Sequence, residues 1–201
     1  MVFLSKWLIT KSEGEMKKYI VLLLLFFSIS SNAALSPLEY VTAPKGNMVY
    51  YIMGDSNPEE GEGGGVAITS MNQKTGSKTT LLEERITDKP EENLFGFYDL
   101  KLSIDGKTLY FQTPAWATSS AIHSLDIENK KQSFVTDGSL ICVISNGQYQ
   151  DYLLIQQHRY FVHQGSYDHY YLYNKKGEKI GLVSDAEMNE LQLLKACQSL
   201  G

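Results

Sequence analysis

The chain has 201 residues, 43% of them hydrophobic, with 18 basic and 23 acidic side chains for a formal net charge of −5. That is enough apolar material for one domain with a substantial core. An acidic chain without a run of lysine or arginine has no electrostatic footprint for nucleic acid or anionic lipid, which excludes both classes of partner.

The N-terminal region reads as an export signal. Met16-Lys17-Lys18 is basic, Tyr19 to Ile29 is apolar, and Ser31-Asn32-Ala33 ends in a small residue, so cleavage is expected between Ala33 and Ala34. The apolar run is shorter than the roughly 18 to 20 residues that span a bilayer, and no basic stop-transfer residues follow. A removable leader therefore fits better than an anchor, and a start at Met16 would leave it intact. Removal takes four lysines and two glutamates, leaving 168 residues with 14 basic and 21 acidic side chains. This expectation makes residues 34–201 a single domain with a periplasmic or secreted location.

Three stretches then repeat one order of strands and turns. The clearest runs from Phe97 to Asp137: an apolar strand to Ser103, an Asp105-Gly106 turn, Thr108 to Gln112, then Ile122 to Ile127 and Gln132 to Thr136. Asp and Gly tolerate left-handed backbone, so the pair can reverse the chain between two strands. Lys45-Gly46 holds the matching place in the first copy and Asn146-Gly147 in the third. The third strands are Val66 to Ser70, Ile122 to Ile127 and Tyr170 to Tyr173. Turns at Thr75-Gly76, Asn129-Lys130 and Lys176-Gly177 lead on to Thr79 to Leu82, Ser133 to Thr136 and Ile180 to Val183. Units of this length stack, because none can bury its apolar face alone.

The segment Leu102-Ser103-Ile104-Asp105-Gly106-Lys107, followed by Thr108 to Phe111, resembles the Ser-Pro-Asp-Gly-Lys signature of TolB-type β-propeller repeats, with Ile104 in place of Pro. Ser124-Leu125-Asp126-Ile127 is similar to that family's third strand. The resemblance covers residues 97–137; the other copies share only the order of elements. It implies a propeller blade, a unit found in periplasmic scaffolds, sugar-binding proteins and peptidase propeller domains, and it implies no particular reaction. The predicted fold is all-β: three consecutive antiparallel four-stranded blade-like units, at about 38–86, 97–137 and 139–184. Closed propellers need about four to eight blades, so the chain forms an open arc, a ring closed by self-association, or a sandwich.

A helix is predicted over about 185–198 as the cover of the exposed end, with Ser184 and Glu187 as a capping box. Ala186, Leu193, Leu194, Cys197 and Leu200 form its apolar face, together with Glu190. In an oxidising compartment, Cys142 and Cys197 read as a disulfide that staples this helix to the third unit.

Four features bear on function. Gly54-Asp55-Ser56 looks like the nucleophile block of GDS-type lipases and esterases, but no histidine has Asp three residues before it and no Gly-x-Asn-Asp block is present. A loop rich in turn-forming residues fits better. The carboxylates Asp55, Glu59, Glu60 and Glu62 could gather Ca²⁺, yet their spacing departs from an EF-hand. His163 and His169 flank one turn and could approach across it as half of a Zn²⁺ site, but His158 has the opposite strand parity to His163, and surface or cross-strand histidines fit better. Aromatics crowd the second and third units. Trp116, in a predicted hairpin loop, Tyr167, in the turn between His163 and His169, and Tyr170 and Tyr171, on a strand whose alternation should leave some rings facing water, are the contact candidates. The leading reading is a non-catalytic module that recognises another protein, with inhibitor or toxin-immunity duty as one form and no cofactor. A serine hydrolase or a calcium or small-ligand domain is the alternative.

Overall fold

The computed structural model describes residues 35–55 and 64–200. The predicted leader, Ser56 and most of the acidic loop lie outside the described residues.

Two antiparallel sheets account for the three units. The first is a meander of β1 (Ser36–Thr42), β2 (Met48–Gly54), β3 (Gly65–Asn72) and β4 (Lys78–Glu83) in that order. The second has seven strands: β5 (Tyr98–Leu102), β6 (Thr108–Trp116), β7 (Ser119–Asp126), β8 (Lys131–Val143), β9 (Leu153–Tyr160), β10 (Ser166–Tyr173) and β11 (Lys179–Ser184). Neither sheet closes on itself. A single helix, α1 (Glu190–Gln198), follows β11.

The second and third units are one sheet because they share β8. Its first half, Lys131 to Gly138, pairs with β7, and its second half, Ser139 to Val143, pairs with β9. The sequence reading ends the second unit at Asp137 and begins the third at about residue 139, but a single strand runs through that boundary. Gly138 lets this strand bend. Its φ is +130°, and a Cβ there would lie 2.5 Å from the Gln156 carbonyl oxygen.

The Ser-x-Asp-Gly-Lys signature forms a turn for a visible reason. The buried Ser103 hydroxyl donates to Asp105 Oδ1 at 2.7 Å and accepts from the Lys107 and Thr108 amides, while Asp105 Oδ1 accepts from the Lys107 amide. Gly106 supplies the left-handed residue, φ +73°.

Side-chain alternation along the strands builds three cores. Leu109 and Phe111 point into the first, with Tyr50, Ile52, Ile68 and Phe97. Tyr110, between them in sequence, belongs to the second, with Ile122, Leu140, Leu153, Ile155 and Tyr173. Leu154, flanked by two members of that second core, belongs to the third, with Tyr170 and Ala196. Each fully buried aliphatic or aromatic side chain contributes about 2 kcal/mol by leaving water. The first core joins units one and two, the second joins units two and three, and the third lies between unit three and α1.

Polar ties reinforce the first two junctions. Glu39 accepts from the Asp99 and Leu100 amides at 3.0 and 2.9 Å, and Gln112 Oε1 accepts from the Leu140 amide at 3.1 Å. Gly65 and Phe97 exchange backbone hydrogen bonds. A side chain at Gly65 would collide with Ile52, 2.0 Å from its Cγ2.

The helix covers the third unit, but it starts later than expected. Asn189 and Gln192 form the capping box. Ser184 remains in β11, opposite Tyr170, with its hydroxyl bonded to the Ala186 carbonyl. Asn189 is itself a strong N-cap, and β11 claims the residues upstream. The packed face is Leu193, Ala196, Cys197 and Leu200, while Leu194 and Ala186 are exposed. Cys142 and Cys197 are joined by a disulfide. No helix among the described residues is long and apolar enough to cross a membrane.

Candidate binding cleft

Three elements meet at one end of the second and third units: the tip of the β6–β7 hairpin, the bend of β8, and the last residues of β9. Between them opens a cleft of about 540 Å³. Trp116, Phe134 and Tyr160 supply its aromatic walls, Thr118 and Ser119 its hydroxyls, and Glu91, Asp137, His158 and Arg159 its charge. A second hollow of about 280 Å³ shares Thr118, Ser119 and His158 and adds Ser139 and Asp168.

The rings stand in water to an unusual degree for strand residues: Trp116 is 42% exposed, Phe134 40% and Tyr160 62%. Trp116 and Phe134 meet edge to face with centroids 6.5 Å apart. The Tyr160 hydroxyl donates to Thr118 Oγ1 at 3.1 Å, tying the end of β9 to the hairpin tip. Preset rings offer contact area at small entropic cost.

Asp137, Arg159 and His158 are held before any ligand arrives. Asp137 takes the Arg159 guanidinium with both oxygens, at 2.6 and 3.1 Å, and Arg159 Nη1 also donates to the His158 carbonyl. The hydrogen bonds to Asp137 push the Arg159 pKa further up, so it stays protonated. Gln157, buried beside this pair, donates to Thr136 Oγ1 and to Asp137, and accepts from Lys179 at 2.8 Å. His158 Nδ1 and Asp168 Oδ1 are 2.9 Å apart. The Ser119 Oγ is buried and has no hydrogen-bond partner among the described residues.

Behind the cleft wall lies His123, fully buried. Its ring stacks on Phe111 and meets Phe134 edge to face. Gln132 donates to Nδ1 at 2.9 Å, and Nε2–H donates to Thr113 Oγ1 at 3.0 Å. The Thr113 hydroxyl passes the chain on to the Asn93 carbonyl. Burial, helped by the charge of Arg85, lowers its pKa to about 4, so it is the neutral ring that packs here.

The four sequence candidates separate. Trp116 lines the cleft from the last position of β6, not from a loop, since the strand runs four residues past Gln112. Tyr167 lies half-buried on β10, its ring 4.7 Å from Phe161 and 4.4 Å from His169. Tyr171 is half-buried beneath the Lys179 ammonium. Tyr170 is a correction: at 3% exposure it is part of the third core, because α1 covers the face that simple alternation would leave in water. The histidines lie apart in role. His169 lies opposite Gln157 and hydrogen-bonds the Tyr171 hydroxyl, His163 stays in the loop before β10, and it is His158 that meets a carboxylate. Among the described residues no group of three or more His, Cys, Asp or Glu is placed to hold a metal ion. Sequence reading missed Phe134, Asp137 and Arg159, whose partnership depends on a register between strands that sequence alone does not fix.

Comparison with known proteins places this architecture among β-propellers at the level of fold. No protein-family model matches the chain, and neither does any curated protein sequence. An acylaminoacyl peptidase from Pyrococcus horikoshii is similar over 77% of this chain and 26% of its own, with a TM-score of 0.52 and 16% identity. The β-propeller domain of the Trilobed protease from Pyrococcus furiosus, which has an open velcro topology, is similar over 75% of this chain and 44% of its own, with a TM-score of 0.50 and 12% identity. TolB from Acinetobacter baumannii gives a TM-score of 0.45 at 15% identity, over 74% of this chain and 32% of its own. The chain thus spans less than half the length of each of these proteins.

Proposed function

We propose that this chain is a non-catalytic recognition module that binds another protein through the cleft between its second and third units. The observation that carries this reading is the exposed Trp116–Phe134–Tyr160 wall on a rigid strand scaffold. Tryptophan and tyrosine are among the side chains most often responsible for binding energy at protein interfaces. The locked Asp137–Arg159 and His158–Asp168 pairs add polar contacts around them at little ordering cost. Export to the periplasm or beyond fits the leader-like N-terminus and the disulfide, and residues 34–201 would be the working domain. Occlusion of another protein's site, as an inhibitor or immunity protein does, is one form this role takes. Co-purification from a periplasmic extract tests the proposal: a partner retained by the wild-type chain should be lost by a Trp116→Ala, Tyr160→Ala double variant. Recovery of the same partner by both would put the interface elsewhere.

A further inference from the structure

Resting on that reading, the chemistry of the cleft narrows what the partner presents. We propose that the cleft takes a cationic side chain, arginine or lysine, carried on an exposed loop of the partner protein.

Charge argues first. The two adjoining hollows are lined by three carboxylates, Glu91, Asp137 and Asp168, against one guanidinium, Arg159, and one imidazole, His158. The balance stays anionic whether or not His158 carries a proton. The resident cation is also spent. Three N–H bonds of Arg159 go to Asp137 and the His158 carbonyl, and an anionic guest would have to compete with a carboxylate held at 2.6 Å. Asp168 is likewise engaged by His158. Glu91, in the short 3-10 turn Pro90–Glu92, makes no side-chain hydrogen bond or ion pair among the described residues; Lys89, the cation whose charge it feels, is bonded to Glu92 instead, which leaves the Glu91 carboxylate open to a guest.

The walls argue second. Trp116, Phe134 and Tyr160 present π systems to the cleft, and among the described residues the cation that sits over aromatic rings, Lys179, lies over Tyr171 and Tyr173 and not over these three. Aromatic faces attract cations, tryptophan most strongly, and rings gathered around one site are how proteins select positively charged groups. An arginine or lysine would lay its aliphatic stem along Trp116 and Phe134 and place its head toward Glu91. The buried, unpartnered Ser119 hydroxyl offers an acceptor for a further N–H.

Three blocked peptides, acetyl-Gly-Arg-Gly-amide and its Glu and Gln counterparts, titrated into the purified chain at low salt, test this. The readout is the Trp116 indole N–H signal in ¹⁵N-correlated NMR spectra, assigned with a Trp116→Phe variant. The arginine peptide should shift that signal with millimolar affinity and bind about tenfold more tightly than the glutamate peptide. Glu91→Gln, a substitution at a surface turn, should weaken the arginine peptide about threefold and leave the glutamine peptide unchanged. A glutamate peptide that binds as well, an arginine peptide indifferent to Glu91→Gln, or no shift with any peptide overturns the inference. If the captured partner is still lost with Trp116 and Tyr160 in those cases, the recognition reading survives without its cationic guest. If partner retention ignores both rings, the recognition reading itself fails.

Discussion

The two ends of the array solve the same problem differently. Behind unit three the outward face meets α1, and the junction is apolar, capped and covalently tied through Cys142–Cys197. On unit one the corresponding face of β1–β3 has no helix against it among the described residues. Tyr40 is 68% exposed there, its ring 6.2 Å from that of Tyr51, and Pro37, Met53 and Met71 line a small hollow. The difference teaches that a stacked array need not be stabilised evenly. One end is held by a constraint that survives fraying, while the other depends on the first core and on polar ties to unit two.

Breaking the disulfide should have the largest effect. It closes a loop of 55 residues, which in the chain-entropy picture is worth about 4 kcal/mol. The Cys142→Ser, Cys197→Ser variant should lose roughly that much in urea denaturation, and hydrogen exchange should speed first in α1 and β11. Equal loosening of β1–β4 would show that the two ends are not independent.

Acid should act on the other half. The unfolded chain takes up a proton at His123 near the usual 6.5, the folded chain only near 4. Stability from this group is therefore full above about pH 6.5 and falls as the pH drops toward 4, by roughly 3 kcal/mol in all. Because His123 stacks on Phe111 of the first core, the loss should appear at the junction of units one and two. A His123→Gln variant should show a flatter pH profile over the same window, and an unchanged profile would remove His123 as the cause.

Glu39→Ala leaves the Asp99 and Leu100 amides without their acceptor and should cost about 2 kcal/mol, read from the denaturation midpoint. Tyr40→Ser, on the uncovered face, should change stability by less than about 0.5 kcal/mol. A larger loss would mean that something does pack against that face.

Much of this was legible in the chain because turns announce themselves. Asp105-Gly106, Lys45-Gly46 and Lys176-Gly177 reverse the chain through residues whose backbone freedom is written in their identity, and the two cysteines had one partner each to find. What failed to show was where a signal means something else in context. Asp137-Gly138 has the composition of a turn but serves a bend inside β8, since the strand finds partners on both sides of it. Ser184 and Glu187 have the spacing of a cap, yet Asn189 and Gln192 take that role once β11 has claimed Ser184. Trp116 stood out in the sequence because no core needed it, and it lines the cleft. Asp137 and Arg159 did not, because their meeting is a matter of register across two strands.

The sharing of β8 has a consequence for how the chain can vary. A strand common to two units is a phase lock. Side chains alternate with a period of two, so Leu140, directed into the second core, keeps its direction only while the count from Thr136 through Gly138 is preserved. One added residue there would turn the inside of the third unit outward and carry Arg159 away from Asp137. Units two and three, with the cleft between them, are thus inherited as a pair.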